Sequence, residues 1–376
     1  MLVALFAAAL AVQVLFWSLL GLGFSRVRRR QRESDGPAPA LPLSVVVAAR
    51  DEAEHLPLLL DALERQTLPP AEVVVADDGS TDETAALVER RDAAWARTGG
   101  PPLRLVRVPK GEAEAAGLPR KKHALTRAIE AASHDRLLFT DADGVPPPTW
   151  TAAVARAAAE EEGAVLVGYG PLLPAPGLLN AYARYETLVT ALMTAAAIGW
   201  DRPYMAVGRN LSYPRSLFER LGGFAHSARS LSGDDDLLVQ EVDRTGAAPV
   251  RYLLDPGSFV PSAAPATLGG WLRQKRRHAS AGRHYRPAVQ ARLLLFHASN
   301  VLVWLGAPVL WLAAGTPWGA GFLAVRFLVQ RAALKPAEEA FGARDLTLAQ
   351  PVLDLLYLLH NAVVAPLGVL LKPARW

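Results

Sequence analysis

The chain has 376 residues, of which 51% are hydrophobic and 20% are charged, so it is too apolar for a disordered protein and can form one large or two ordinary domains. A mean hydropathy of +0.16 with only 7% aromatic residues indicates that aliphatic residues are concentrated in segments, and membrane spans are the expected place. The lack of cysteine excludes disulfide scaffolds and thiol nucleophiles, and the net charge of +4 is too small for a dedicated nucleic-acid-binding protein.

The first predicted element is a membrane anchor. Residues 2–24 carry no charge over a length that crosses the roughly 30 Å hydrocarbon core as a helix. Five arginines follow this run, whereas a cleaved signal peptide carries its basic residues in front, so we favour an anchor over a signal peptide. The positive-inside rule then places the chain that follows in the cytosol. We assign residues 1–25 to the anchor and residues 26–42 to a basic linker that ends in a Pro-rich segment.

A soluble α/β domain is predicted over residues 43–265. The predicted strands are residues 44–50, 72–78, 103–108, 136–143 and 164–170. Amphipathic segments with helical spacing separate them, and this alternation is typical of a mostly parallel sheet with helices on both faces. Because such sheets bind ligands beyond the carboxyl ends of their strands, we expect the site at that edge.

The remainder of the chain is predicted to return to the membrane. Residues 266–292 form a basic juxtamembrane segment, and residues 293–376 are expected to hold two to three membrane helices. One apolar stretch, residues 317–334, contains Arg326 and Arg331, and another, residues 348–371, contains Asp354 and His360. Charged groups at membrane depth usually face other helices or water. Four spans would leave the basic tail outside, so one C-terminal segment is expected to be interfacial or re-entrant. A multi-pass protein of the inner cell membrane with a cytoplasmic central domain follows.

Carboxylates stand at the ends of three predicted strands, in ARDE, ADDGSTDET and FTDADG. One such acid is common in turns and helix caps, but three in succession favour a binding site. Asp141 and Asp143 form a D-x-D pair, whose side chains point the same way in an extended backbone. Two hard oxygen donors with open positions suit Mg²⁺ or Mn²⁺ bridging a diphosphate. Asp77 and Asp78 either cap the next helix or accept hydrogen bonds from a nucleoside base or ribose.

The order of the motifs resembles a known family. SVVVAARDE, VVVADDGSTDET, KKHAL, FTDADG, VGRNLSYPRSLFERLGGF, SGDDDLL and QKRRH follow one another as in the inverting family 2 glycosyltransferases with a GT-A fold. The resemblance covers residues 43–280, and its specificity lies in the order of the motifs. It implies a Rossmann-like, mixed and mostly parallel sheet, flanked here by transmembrane helices at both ends, and a hexosyltransferase activity.

The resemblance also implies donor-binding residues. The nucleotide-binding set is Arg50, Asp51, Glu52, Asp77, Asp78, Lys122 and Asp141, and Asp141 with Asp143 binds the divalent cation, Mg²⁺ or Mn²⁺. The lysine of KKHAL, either Lys121 or Lys122, would supply a point charge to the diphosphate, and the alternative is a solvated helix end.

The general base is predicted in SGDDDLLVQ. Inverting transfer needs a carboxylate that removes the proton of the attacking acceptor hydroxyl. Adjacent aspartates raise one another's pKa when they are partly buried, which brings a carboxylate closer to useful basicity. We choose Asp235, with Asp234 as the second choice and Asp236 in the same run. The alternative is a capped and solvated turn before the next helix.

The acceptor side is predicted from two further motifs. QKRRH resembles the Q-x-x-R-W motif of membrane-bound members, in which Gln274 and Arg277 match and His278 stands where Trp is usual. Asn210 matches the acceptor-side segment of the family. A basic stretch attracted to anionic lipid is the alternative for QKRRH.

The sequence therefore predicts an enzyme that transfers a sugar, with inversion, from a nucleoside-diphosphate sugar to a lipid or lipid-linked acceptor, with a UDP-sugar as the first choice of donor. A processive polysaccharide synthase is the second interpretation, disfavoured by the missing Trp, and a catalytically silent nucleotide-sugar sensor is the third. No nucleic-acid partner is expected. The interpretation requires the 141/143 pair to lie within about 15 Å of residues 234–236.

Overall fold

The structure is a computed structural model that describes residues 1–31 and 38–364. The rest of the predicted linker and of the predicted C-terminal membrane region, residues 32–37 and 365–376, lies outside the described residues. The described chain divides into two compact units. Residues 29–31, 38–173 and 202–263 form what we call the α/β unit, and residues 1–28, 174–201 and 264–364 form the helical unit.

The α/β unit is built on a seven-stranded sheet with the order β3-β2-β1-β4-β6-β5-β7. The strands are β1 Leu43–Ala49, β2 Glu72–Asp77, β3 Leu103–Arg107, β4 Arg136–Phe139, β5 Val165–Val167, β6 Leu211–Pro214 and β7 Val250–Tyr252. Pairing is parallel for β1 with β2 and β4, for β2 with β3 and for β5 with β7, whereas β6 runs antiparallel to both β4 and β5. The predicted mixed, mostly parallel sheet is confirmed.

The central strands are continuous apolar runs because both faces of the sheet are covered. Val45, Val47, Val73 and Val75 have no exposed surface and belong to one core with leucines of the flanking helices. All five predicted strands are present, but β4 ends at Phe139 rather than at residue 143. The D-x-D pair therefore lies in the turn after the strand, where the Gly144 N–H donates to the Asp141 carbonyl at 3.0 Å. Our assumption that the pair is in an extended strand was wrong.

Two strands were not predicted. Strand β6 lies within the motif VGRNLSYPRSLFERLGGF, and the helix Arg215–Arg220 follows it directly. Strands β6 and β7 have four and three residues, too few for a recognisable alternation of apolar and polar positions. Their place in the sheet is set by backbone pairing with β4 and β5.

Thirteen α-helices lie within the described ranges. They are α1 Leu2–Gln31, α2 Leu56–Glu64, α3 Thr84–Thr98, α4 Glu112–Ala115, α5 Arg120–Ala131, α6 Trp150–Glu160, α7 Leu178–Gly199, α8 Arg215–Arg220, α9 Asp236–Thr245, α10 Leu268–Ala281, α11 Pro287–Ala314, α12 Trp318–Ala340 and α13 Gln350–Leu359. Of these, α1, α7 and α10–α13 belong to the helical unit. Helix α7, which lies within the predicted domain over residues 43–265, is part of the helical unit.

Two helices among the described residues are long and apolar enough to cross a membrane. They are Leu2–Gln31, near the N-terminus, and Pro287–Ala313, in the C-terminal third of the chain. The first continues past the predicted anchor and includes the arginines at positions 26 to 30, which the sequence had placed in a linker.

The helical unit buries polar groups and exposes apolar ones. Arg326 and Asp354, 1% and 0% exposed, form a two-pronged ion pair with nitrogen–oxygen distances of 2.7 and 3.1 Å. The amide of Gln330 donates to the same carboxylate at 2.6 Å. In contrast, Leu312 and Leu328 are 85% and 71% exposed. The two charges within apolar helices therefore face each other, as expected for such groups.

Candidate active site

Three consecutive basic residues open α5, and each contacts a different segment of the α/β unit. The helix starts after Pro119 with Arg120, Lys121 and Lys122. Successive residues of a helix are about 100° apart, so the three side chains leave in three directions. Cations at a helix N-terminus are disfavoured by the helix dipole, which indicates that nearby acids stabilise them.

Arg120 reaches the acids at the end of β2. Its Nε lies 3.0 Å from an oxygen of the buried Asp78, and its Nη2 donates to the Asp78 carbonyl at 2.8 Å. Burial raises the pKa of Asp78, and the charge of Arg120 opposes this shift. Arg50 approaches the same carboxylate at 3.9 Å. The neighbouring Asp77 is also buried and accepts a hydrogen bond from the Ser80 N–H at 3.2 Å.

Asp51 and Glu52, which follow β1, form hydrogen bonds with residues that follow β2. Asp51, at a φ of 54°, accepts a hydrogen bond from the Thr81 N–H at 2.6 Å, which lowers its pKa. The Glu52 N–H donates to the Thr84 hydroxyl at 2.8 Å. Burial raises the pKa of Glu52, and the charges of both D-x-D carboxylates add to the effect. Four of the predicted nucleotide-side acids, Asp51, Glu52, Asp77 and Asp78, thus lie at one edge of the sheet.

Lys121 joins the D-x-D motif to the predicted base motif. Its Nζ lies 2.9 Å from Asp141 Oδ1 and 3.4 Å from Asp234 Oδ2. Burial by itself would lower the pKa of Lys121, but these two carboxylates raise it well above its ordinary value. Burial raises the pKa of Asp143, the charge of Asp141 adds to this, and Arg209 opposes it. Carboxylates 93 residues apart in sequence therefore lie within reach of one ammonium group, far inside the required 15 Å.

The three adjacent aspartates have different surroundings. Asp235 precedes α9 and accepts hydrogen bonds from the Gly208 N–H at 2.8 Å and the Asp236 N–H at 2.7 Å. Burial, with repulsion by Asp234, raises the pKa of Asp235 to about 6. Asp236 accepts a hydrogen bond from the Ala206 N–H at 2.9 Å. Asp234 forms an ion pair with Lys121.

A small cavity lies where these groups meet. Its polar lining includes Lys121, Asp141 and Asp234, and its apolar lining includes Phe139 and Tyr213. Gly208 also lines it, and a Cβ there would lie 3.3 Å from Asp235 Oδ2. A glycine at this position leaves room beside the predicted base.

Two predicted site residues point elsewhere in the α/β unit. Lys122 is fully buried, and its Nζ donates to the carbonyl oxygens of Ser227 and Ser230. Asn210, 1% exposed, donates to the carbonyls of Tyr169 and Ser258 and accepts from the Trp150 indole N–H. Its three bonds are those of a core residue.

The remaining predicted residues lie on α10. Gln274, Arg277 and His278 belong to the helical unit, where the first two are half-buried and His278 is exposed. Sequence reasoning did not identify Arg120 or Arg209 as site residues. For Arg120 a signal was available, because a third cation at the start of a predicted helix is unfavourable without a partner.

Comparisons with known proteins bear on this arrangement. The model of glycosyl transferase family 2 matches residues 44–172, which include both the Asp77/Asp78 and the D-x-D motifs. No curated protein sequence matches the chain significantly.

Solved structures are similar in fold. A mannosyltransferase, PcManGT from Pyrobaculum calidifontis in complex with GDP-Man and Mn²⁺, is 24% identical, covers 94% of this chain and 99% of that chain, and has a TM-score of 0.56. TarS 1–349 of S. aureus with UDP-GlcNAc is 16% identical and covers 81% of this chain and 88% of that chain, with a TM-score of 0.45. Glucosyl-3-phosphoglycerate synthase from Mycobacterium tuberculosis, in complex with Mn²⁺, UDP and glucosyl-3-phosphoglycerate, is 17% identical. It covers 67% of this chain and 80% of that chain, with a TM-score of 0.43.

The mixed sheet of this order, with acidic motifs at the carboxyl ends of its parallel strands, has the GT-A type of fold seen in the similar mannosyltransferase structure. Within this fold, residues 44–172 are similar to glycosyl transferase family 2.

Proposed function

We propose that the protein is a metal-dependent, inverting glycosyltransferase that moves a sugar from a nucleoside-diphosphate sugar to an acceptor held at the membrane, with Asp235 as the general base. The observation that carries the proposal is the contact of one ammonium group, that of Lys121, with both Asp141 and Asp234. It brings the donor motif and the base motif into one site.

The base assignment is supported by the pKa and orientation of Asp235. A carboxyl with a pKa of about 6 is mostly ionised at pH 7 and is still basic enough to accept a proton. Two backbone N–H groups, those of Gly208 and Asp236, hold its two oxygens in place. In the reaction the acceptor oxygen forms a bond to the anomeric carbon, the bond to the phosphate oxygen breaks, and the hydroxyl proton goes to Asp235.

Asp141 and Asp143 fit a divalent cation. Both have hard oxygen donors, and the pKa of Asp143 is raised by burial and then by the like charge of Asp141, so a cation between the two would be stabilised. In the described ranges no group of three or more His, Cys, Asp or Glu side chains could by itself hold a metal ion, so phosphate oxygens would have to complete the coordination. When bound, Mg²⁺ or Mn²⁺ neutralises charge on the departing diphosphate.

The basic residues at the start of α5 have separate roles in this proposal. Lys121 places a positive charge beside Asp141, where the diphosphate of the donor would lie. Arg120 and Arg50 hold the carboxylate of Asp78, and in this proposal Asp78 accepts hydrogen bonds from the nucleoside. The acceptor-side role of the α10 residues stays a prediction.

A membrane location is supported by the helical unit. It has two helices long enough to span a bilayer. It also buries the Arg326–Asp354 pair and exposes leucines, an arrangement that suits helices facing lipid. We therefore propose a multi-pass membrane protein with a cytoplasmic α/β unit and a lipid or lipid-linked acceptor.

The experiment is a donor screen on purified full-length protein with Mn²⁺. UDP-, GDP- and TDP-sugars are incubated with membrane lipid extract, and release of nucleoside diphosphate and the anomeric configuration of the product are measured. We expect release with one donor class and inversion. Asp143→Ala and Asp235→Asn should abolish transfer, whereas Glu89→Gln, which removes an exposed carboxylate on α3, should not. No release with any donor would contradict the proposal, and a long polymer would favour a processive synthase.

A further inference from the structure

Lys122 is fully buried although it ends in an ammonium group. Its Nζ donates hydrogen bonds to the backbone carbonyl oxygens of Ser227 at 2.7 Å and Ser230 at 3.0 Å. Lysine is among the residues least often fully buried, because removing its charge from water is costly. Burial lowers the pKa of Lys122 to about 8, and the nearby Asp234 and Asp235 oppose this shift. Because burying this ammonium group is costly, its hydrogen bonds to the two carbonyl oxygens indicate a structural role for Lys122.

The turn bound by Lys122 leads directly into the aspartate run. A 3₁₀ turn over Ala225–Ser227 ends at the first of the two carbonyls, which also accepts the Ser230 N–H at 3.0 Å. Gly233, at a φ of 81°, then reverses the chain immediately before Asp234. The conformation of residues 227–233 therefore sets where the three aspartates begin.

The same helical turn holds the opposite side of the site. Lys121, the preceding residue, contacts both Asp141 and Asp234. The first turn of α5 is itself fixed, because the His123 N–H donates to the Pro119 carbonyl and the Lys122 carbonyl accepts the Thr126 hydroxyl. The first turn of α5 therefore contacts both sides of the site. Lys121 contacts the D-x-D motif, and Lys122 binds the backbone that precedes the predicted base.

We propose that Lys122 is a positioning residue that fixes the segment carrying Asp235 relative to the D-x-D motif, and that it does so through the backbone of Ser227 and Ser230 without contacting the donor. The inference rests on the proposed function. Its physical reason is the steep dependence of rate on geometry, since a displacement of about 1 Å can cost about 100-fold in rate.

The test compares Lys122→Met with Arg127→Met in the full-length protein. Methionine keeps the length of the side chain and removes its N–H donors. Arg127 lies on the same helix and pairs with Glu112 with its side chain 39% exposed, so its replacement removes a cation from α5 without touching the turn. We measure kcat, KM for the donor, the Kd for nucleoside diphosphate with Mn²⁺ by calorimetry, and hydrogen–deuterium exchange of residues 227–236.

For Lys122→Met we expect kcat to fall about 100-fold while donor KM and the nucleotide Kd stay within about threefold of wild type. Exchange over residues 227–236 should rise in this variant only, and Arg127→Met should keep the wild-type kcat. If Lys122→Met does not accumulate as folded protein, Lys122→Gln, which retains an N–H donor, replaces it and should lose less activity.

A nucleotide Kd that weakens in parallel with kcat would overturn the inference, because it would make Lys122 a donor ligand. An unchanged kcat with faster exchange would also overturn it, since the turn would then not control the reaction. Both results require an active wild-type enzyme. A wild-type protein inactive with every donor refutes the proposed function instead, and the two failures are thereby distinguished.

Discussion

Replacing Asp235 by asparagine should stabilise the protein at neutral pH while it abolishes sugar transfer. Burial and the charge of Asp234 raise the pKa of Asp235 from its ordinary 3.8 to about 6. The folded protein therefore binds this proton more tightly than the unfolded chain does, and ionisation disfavours the folded state. The penalty is absent below pH 3.8, grows as the pH rises from 3.8 to about 6, and is complete above that value.

The magnitude follows from the pKa difference and from the hydrogen bonds of the side chain. At about 1.36 kcal/mol per pKa unit, the penalty above pH 6 is about 3 kcal/mol, and access of solvent to this partly exposed residue reduces it. Asparagine has one acceptor oxygen, so it gives up one of the bonds from the Gly208 and Asp236 N–H groups, which costs about 1 kcal/mol. We expect a net gain of about 1 kcal/mol, or roughly 2–4 °C in Tm, at pH 7.5.

The assay is thermal unfolding of the wild type, Asp235→Asn and the control Glu89→Gln at a series of pH values from 4 to 8. The Tm difference between Asp235→Asn and wild type should be largest above pH 6 and should vanish or reverse near pH 4. The control should show no such trend. An Asp235→Asn protein that is less stable than wild type at pH 7.5, or a Tm difference independent of pH, would refute the reasoning.

Three further predictions follow from the structure. With Asp235 as the base, kcat should rise about tenfold between pH 5 and 7 with a midpoint near 6, as the ionised fraction increases, and a flat profile would exclude this residue. Gly199→Ala should lower Tm, because the added Cβ collides with a carbonyl of α1, whereas Gly321→Ala, with open space around it, should leave Tm unchanged or raise it. Arg326→Met should destabilise the helical unit by about 3–5 kcal/mol by leaving Asp354 buried and unpaired, and adding Asp354→Leu should recover part of the loss in a detergent melt.

The sheet was largely predictable because its strands carry their signal locally. Continuous apolar runs such as those of β1 and β2 identify strands buried on both faces without knowledge of any partner. Their carboxyl ends could then be located, and with them Asp51, Asp77 and Asp141. Strand β6 was missed because four residues, of which the last is Pro214, gain their strand conformation from pairing with β4.

The assignment of individual side chains was less predictable. The sequence favoured Lys122 as the donor-side lysine, while the structure places Lys121 at the carboxylates and Lys122 at a backbone turn. The two residues are equivalent in chemistry and adjacent in sequence. A single step along a helix rotates the side chain by about 100°, so only the placement of α5 against its neighbours separates them.

By itself the sequence determined the α/β class, the apolar terminal helices and the chemistry of the acidic motifs, because hydrophobic spacing and side-chain type are local properties. The tertiary structure decided which groups meet: that α7 joins the helical unit, that Arg326 faces Asp354, and that three adjacent aspartates divide between an ammonium group and backbone N–H donors. These outcomes depend on partners at distances of tens to hundreds of residues along the chain, and the position of each partner is fixed only when the packed core sets the orientation of every helix and strand.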